Sequence, residues 1–313
     1  SDMLITDEDP NNIRGPLSSL SDDQFQGKRF DYMITNPPFG VSWKSEQEYI
    51  ESEKENPYGR FTVGTPRSSD GALLFLQHMI SKMERKGSRI GIVLNGSPLF
   101  TGDAGSGESE IRKWIIENNW LEGIISLPDQ MFFNTGISTY VWIVNNNKSE
   151  RRKGKVQLID GSSFFKQMKK SLGNKRKEVT DEHRNELLDN YLKFEENEFC
   201  KIYPNEFFGY TKVTIEQPSS EKDKKGKPKP DSKKRDYERV PLLEDVDEYF
   251  YREVQPHLND AWMDRSKDRV GYEINFTKYF YQYKPLRSLD EITSELLRLD
   301  EEADGLMKEI LNS

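Results

Sequence analysis

Short apolar runs alternate with amphipathic ones through the first half of the chain. FDYMIT (30–35), RIGIVLN (89–95), LEGIISLP (121–128), STYVWIVNN (138–146) and KVQLID (155–160) are compact and apolar. They predict strands, the first two buried. Between those two, SSDGALLFLQHMISKMERKG (68–87) places Leu73, Leu74, Leu76, Met79, Ile80 and Met83 at helical spacing, with Gly87 as its stop. GESEIRKWIIENN (107–119) predicts a second helix, opening near Glu108 or Ser109. Strand, helix, strand, helix, strand is the pattern of an α/β sheet with crossover helices. Ligands of such sheets sit beyond the carboxyl ends of the strands.

The pattern changes in the second half. Residues 216–239 are rich in Lys, Pro and Ser and nearly free of apolar side chains. They predict an exposed or disordered loop. VDEYFYREVQPHLNDAWM (246–263) predicts a helix followed by a loop. Near the end, Leu289, Ile292, Leu296, Leu299, Ala303, Leu306 and Ile310 repeat at alternating intervals of three and four. That is a heptad seam, and a helix carrying it packs on its own domain or docks on another subunit. The expected organisation is a catalytic region over 1–165, an extension over 166–285 and a docking helix over 286–313.

Composition narrows the class. The 313 residues suffice for a large α/β domain with an appendage, or for two domains. Cys200 is the only cysteine, so neither a disulfide framework nor a thiolate cluster is available, and the expectation is a reducing, cytoplasmic setting. His78, His183 and His257 are scattered without ligand spacing, which points away from a metal site. No apolar run approaches the ~20 residues of a membrane span. The net charge of −8 argues against autonomous tight binding of nucleic acid, but not against DNA delivered by a partner. The charge is uneven. Residues 151–178 hold ten Lys or Arg against Asp160 and Glu178, whereas 286–313 hold eight acids against Arg287, Arg298 and Lys308. Either run is read equally well as a solvated face.

The chemistry concentrates in DYMITNPPFG (31–40), where an apolar strand ends on Asn36, Pro37, Pro38 and Phe39. A carboxamide oxygen accepts hydrogen bonds. The prolines stiffen the loop, and the carbonyl of Pro37 is free to accept as well. An aromatic ring two residues further on can stack on a flat ligand. Two acceptors converging beside a stacking face suit the exocyclic amine of a heterocycle, such as adenine N6 or cytosine N4. Pulling on both N–H groups moves that weakly nucleophilic nitrogen toward sp³ character as it attacks, a preorganised-dipole effect. The structural alternative is a Pro-Pro turn with Asn36 bonded to its own backbone. The position at the end of a hydrophobic strand, together with Phe39, favours the site.

The Asn-Pro-Pro-Phe motif resembles that of S-adenosylmethionine-dependent DNA adenine-N6 methyltransferases. The similarity extends over LSDDQFQGKRFDYMITNPPFGVSWK, SSDGALLFLQHMISKM, residues 87–146 and GYEINFTKYFYQY, and there it is to the modification subunit of type I restriction–modification systems. The resemblance implies a class I, Rossmann-like methyltransferase sheet. It implies S-adenosyl-L-methionine as cofactor, with Asn36 beside it. The substrate is a flipped adenine, with N6 held by Asn36 and the Pro37 carbonyl and the ring stacked on Phe39. A second aromatic closes such pockets, and Phe132 or Phe133 is expected there, with Phe133 preferred. The implied partners are DNA, a specificity subunit, a restriction subunit and a second modification subunit, with no membrane.

The chain departs from the family in lacking a helical domain and a Gly-rich cofactor motif ahead of Asn36. The expectation is the C-terminal part of a longer protein. TGDAGSGES (101–109) is Gly-rich and opens a helix. It follows the wrong strand and lacks a phosphate-loop lysine, so it reads as a mobile surface loop near the substrate. Two alternatives stay open. The same acceptor chemistry serves methylation of RNA or of a protein glutamine, and a chain without cofactor contacts could act as an assembly module.

Overall fold

A computed structural model describes residues 18–133, 135–222, 226, 228–281 and 288–311. The chain divides into residues 1–279 and residues 280–313. The expected break at residue 165 does not divide it, because a strand beyond that point, Cys200–Pro204, joins the same sheet.

The first thirteen elements are β1 (Tyr32–Thr35), α1 (Gln47–Glu55), α2 (Ala72–Ser81), β2 (Arg89–Asn95), α3 (Ser97–Phe100), α4 (Gly107–Glu117), β3 (Leu121–Ser126), β4 (Thr139–Asn145), β5 (Lys155–Asp160), β6 (Lys166–Leu172), β7 (Lys175–Glu178), α5 (Asp181–Lys193) and β8 (Cys200–Pro204). A six-stranded mixed sheet runs β1-β2-β4-β3-β5-β8. β1 is parallel to β2, and β3 to β5, while β4 lies antiparallel between β2 and β3. The crossovers through α2 and α4 are those expected of an α/β fold. The sheet's core is built by strict alternation: Ile90, Ile92 and Leu94 of β2 and Trp142 and Val144 of β4 have no exposed surface. Each fully buried side chain of this kind contributes about 1.5–3 kcal/mol.

α2 is buried on nearly all sides, since Leu74 also joins a cluster of Leu20, Trp43, Ile50 and Phe61. Its N-cap is Gly71, and the Asp70 carboxylate just before it accepts from Ala72 N at 3.1 Å. It ends earlier than Gly87 would dictate. Lys82 caps it, and the Lys82 carbonyl is taken by Phe30 N at 3.0 Å, so the chain leaves the helix to meet the strand.

β1 departs from expectation. It is the edge strand and not a buried one: Tyr32 is 77% exposed and Ile34 is 92% exposed. Its apolar composition matches a buried strand, but β2 is its only strand partner among the described residues.

The next elements are β9 (Gly209–Glu216), β10 (Pro218–Lys222), β11 (Pro228–Pro230), β12 (Asp236–Pro241), α6 (Val246–Tyr249), β13 (Trp262–Met263), β14 (Arg269–Tyr272) and α7 (Phe276–Phe280), and β9, β12, β13 and β14 form a second sheet. β12, β13 and β14 all pair antiparallel with β9. The Lys-rich stretch 216–239 is therefore not a loop throughout. β10 and β11 pair, and Asp236–Pro241 pair with Tyr210–Ile215. Glu216, 1% exposed, explains the order: it receives Arg235 Nε at 2.9 Å and Lys267 Nζ at 2.9 Å. Arg235, which lay in the stretch expected to be an exposed loop, and Lys267 together neutralise one buried carboxylate.

In residues 280–313, α8 (Leu289–Leu311) is a single helix over the heptad region. Leu289, Leu296 and Leu299 are 81%, 62% and 49% exposed. The side chains of Leu306 and Ile310 lie outside the described residues. No helix among the described residues is long and apolar enough to cross a membrane.

Candidate active site

β1 delivers Asn36 to the carboxyl edge of the sheet. Pro37 is buried, Asn36 and Pro38 are exposed, and Phe39 is half-buried. Among the described residues the Asn36 carboxamide has no hydrogen-bond partner, so it is not the self-satisfied turn residue that the structural alternative requires. The loop is held from behind. Gly40 turns the chain with φ +60°, a left-handed conformation that side chains disfavour. Gly71 N then donates to Val41 O, and Trp43 N to Ser68 O, both at 3.0 Å. The Trp43 indole is 4% exposed and donates to Arg67 O at 3.0 Å. One side of the motif is anchored and the other is free.

The aromatic partner is Phe132. Its ring meets Phe39 edge-on, with centroids 5.4 Å apart and planes at 76°. Phe133 is 62% exposed and turned away, its carbonyl accepting from Asn174 N at 3.0 Å. Phe132, and not the preferred Phe133, is therefore the ring that touches Phe39. Neighbouring residues in an irregular segment face opposite ways, and composition alone does not say which faces inward.

The Gly-rich loop 101–109 is anchored and not a mobile surface loop. Asp103 accepts from Ala104 N at 2.9 Å and Tyr210 Oη at 3.0 Å, and pairs with Lys212 and with Arg239 at 3.3 Å. Burial raises the Asp103 carboxyl, but the hydrogen bonds from Lys212, Ala104 and Tyr210 outweigh it and hold the group below the usual carboxylate range. Burial pushes the Tyr210 phenol up to about 12. Ser106 caps α4, its hydroxyl accepting from Ser109 N at 3.3 Å. Arg112 of α4, fully buried, donates to Tyr272 O at 2.6 Å, Pro98 O at 3.0 Å and Gly102 O at 3.3 Å. Burial lowers its guanidinium to about 10. The loop thus carries its own anion among cations, and does not fit a phosphate or the cofactor.

Two polar atoms at the sheet's carboxyl edge escaped sequence reasoning. Asn95 Oδ1 ends β2, Thr139 Oγ1 begins β4, and the two residues are direct ladder partners. Both atoms are buried without a hydrogen bond. Their signal was faint: one polar residue closes a largely apolar strand and the other opens one.

Residues 2–208 match the family model described as N-6 DNA Methylase. The chain belongs to the N-6 DNA methylase family. It is 29% identical over 180 residues to the type I restriction enzyme MjaIX methylase subunit of Methanocaldococcus jannaschii, covering 58% of this chain and 31% of that one. It is 34% identical over 142 residues to the HindI methylase subunit of Haemophilus influenzae, covering 45% of this chain and 30% of the relative. A solved type I restriction-modification methyltransferase subunit from Streptococcus thermophilus superposes with a TM-score of 0.51 at 26% identity, covering 60% of this chain and 38% of that one. The chain spans about a third of the length of these curated relatives. The α/β sheet is that of class I methyltransferases. For an N-6 DNA methylase sheet, the free carboxamide at the end of β1 fits the methyl end of S-adenosylmethionine.

Proposed function

We propose that this chain carries the base-binding part of a DNA adenine-N6 methyltransferase, the modification subunit of a type I restriction–modification complex. The observation that carries the reading is the exposed, unpartnered Asn36 carboxamide, held on a braced loop with Phe39 and Phe132 beside it. A flipped adenine enters at the carboxyl end of β1. Asn36 Oδ1 and the Pro37 carbonyl accept the two N6 protons. Phe39 stacks on the base and Phe132 buttresses Phe39. When bound, S-adenosylmethionine supplies an electrophilic methyl group beside Asn36. The residues here orient the amine and take up the positive charge it develops.

The specificity subunit reads the sequence, and the seam of α8 docks a partner: that subunit, the restriction subunit or a second modification subunit. The exposed edge of β1 favours a further point. Tyr32 and Ile34 are the pairing edge for a polypeptide that carries the cofactor motif, and without it this chain binds S-adenosylmethionine poorly.

In the complete protein, Asn36→Ala is expected to lower methyl transfer to DNA by at least ~10²–10³-fold, the scale of one lost transition-state hydrogen bond. Affinity for the partner subunits should stay unchanged. Survival of full activity sinks the catalytic assignment. Offering DNA, RNA and a glutamine peptide side by side separates the acceptor classes. Calorimetric titration of S-adenosylmethionine into the 313-residue chain, with and without the cofactor-motif polypeptide, tests the division of the pocket.

A further inference from the structure

The basic run of residues 151–178 has no role in the chemistry above, and the fold gives most of it one address. β6 and β7 form a two-stranded ribbon. Within residues 166–178 it carries Lys166, Lys169, Lys170, Lys175, Arg176 and Lys177 against the single acid Glu178. Lys177 pairs with Asp129. The other five cations form no ion pair among the described residues, and four of them are exposed. Elsewhere the chain pairs its cations readily, as Glu216 and Asp103 illustrate. Five unpaired cations on a ribbon with little buried surface repel one another unless a polyanion lies alongside.

The ribbon is docked against the site. Asn174 N donates to Phe133 O at 3.0 Å, and Arg176 N and Lys177 N donate to Gln130 O at 3.0 and 3.3 Å. The segment it braces, residues 129–133, contains Phe132, whose ring meets Phe39. The cations are therefore fixed beside the mouth through which a base would enter.

We infer that the β6–β7 ribbon is the phosphate-backbone contact that seats duplex DNA over Asn36. The inference rests on the DNA methyltransferase reading and assigns that site its backbone anchor. Lys and Arg side chains on a ribbon contact phosphates without reading bases, so the contribution is independent of sequence and sensitive to salt.

The test uses the complete protein in its assembled complex and a labelled duplex. A K169Q/K170Q/K175Q/R176Q variant is compared with wild type and with K169R/K170R/K175R, which keeps the charge. The expected result is weaker DNA binding by the glutamine variant, with the slope of log affinity against log salt shallower by ~0.9 for each phosphate that is no longer neutralised. KM for DNA should rise, turnover at saturating DNA should persist, and the arginine variant should behave as wild type. A glutamine variant that matches wild type in affinity and salt slope overturns the ribbon assignment while leaving methylation of DNA intact. Weakening confined to RNA or to an acidic protein partner overturns it too. Wild-type protein that neither binds nor methylates DNA removes the underlying reading together with it.

Discussion

At the scale of residues, the motif was legible because its chemistry is local. Asn36, two prolines and Phe39 carry their argument within four positions, and the strand before them sets their place at the sheet's edge. What was not legible is which of two adjacent phenylalanines faces Phe39. That depends on a ribbon well downstream in the chain, where Asn174 takes the Phe133 carbonyl. The geometry makes a discriminating prediction. Phe132→Ala should raise KM for DNA or lower turnover by roughly tenfold, the scale of losing an aromatic contact of ~0.5–1.5 kcal/mol together with the packing around Phe39. Phe133→Ala should leave both parameters close to wild type. Steady-state kinetics on the two variants decide the matter, and the reverse ranking would restore Phe133 as the base-facing ring.

At the scale of elements, hydrophobic period served well wherever burial decides structure. β2 and β5 begin and end at the expected residues, and β3, β4, α2 and α4 fall within the predicted spans. Period failed where charge decides it. Residues 216–239 have almost no apolar pattern, yet Asp236–Arg239 are held in β12 by β9, and Arg235 is fixed by the buried Glu216. No count of apolar positions reveals that a lysine and an arginine share one buried carboxylate. The edge position of β1 was equally hidden, because an apolar strand looks the same whether or not its second neighbour is present. α8 invites an element-scale test. Leu296→Asp with Leu299→Asp places two charges on the seam, and subunit assembly measured by analytical ultracentrifugation should weaken while the melting of the rest of the chain stays unchanged. Unaltered assembly would return the helix to a solvated role.

At the scale of the whole molecule, Arg112 joins parts that a domain map would separate. Its guanidinium meets carbonyls at residues 98, 102 and 272 and so ties α4 to the second sheet. Tyr272 N also donates to Ser109 Oγ at 3.0 Å. This explains why the chain does not break at residue 165, and why no local pattern could have said so. Arg112→Ala leaves three buried carbonyls without their donor and is expected to destabilise residues 1–279 by roughly 3–5 kcal/mol. Chemical denaturation should show this as a lower midpoint with an unchanged slope.

The same tie has a consequence on the ribosome. Tyr272 follows Arg112 by 160 residues. At ~5–20 residues per second the nascent chain waits roughly ten to thirty seconds before that carbonyl emerges. Throughout that interval the helix carries a guanidinium that cannot yet be buried with all its acceptors. α4 is therefore translated early and locked late, and for that interval the growing polypeptide is most open to chaperones and proteases around this helix.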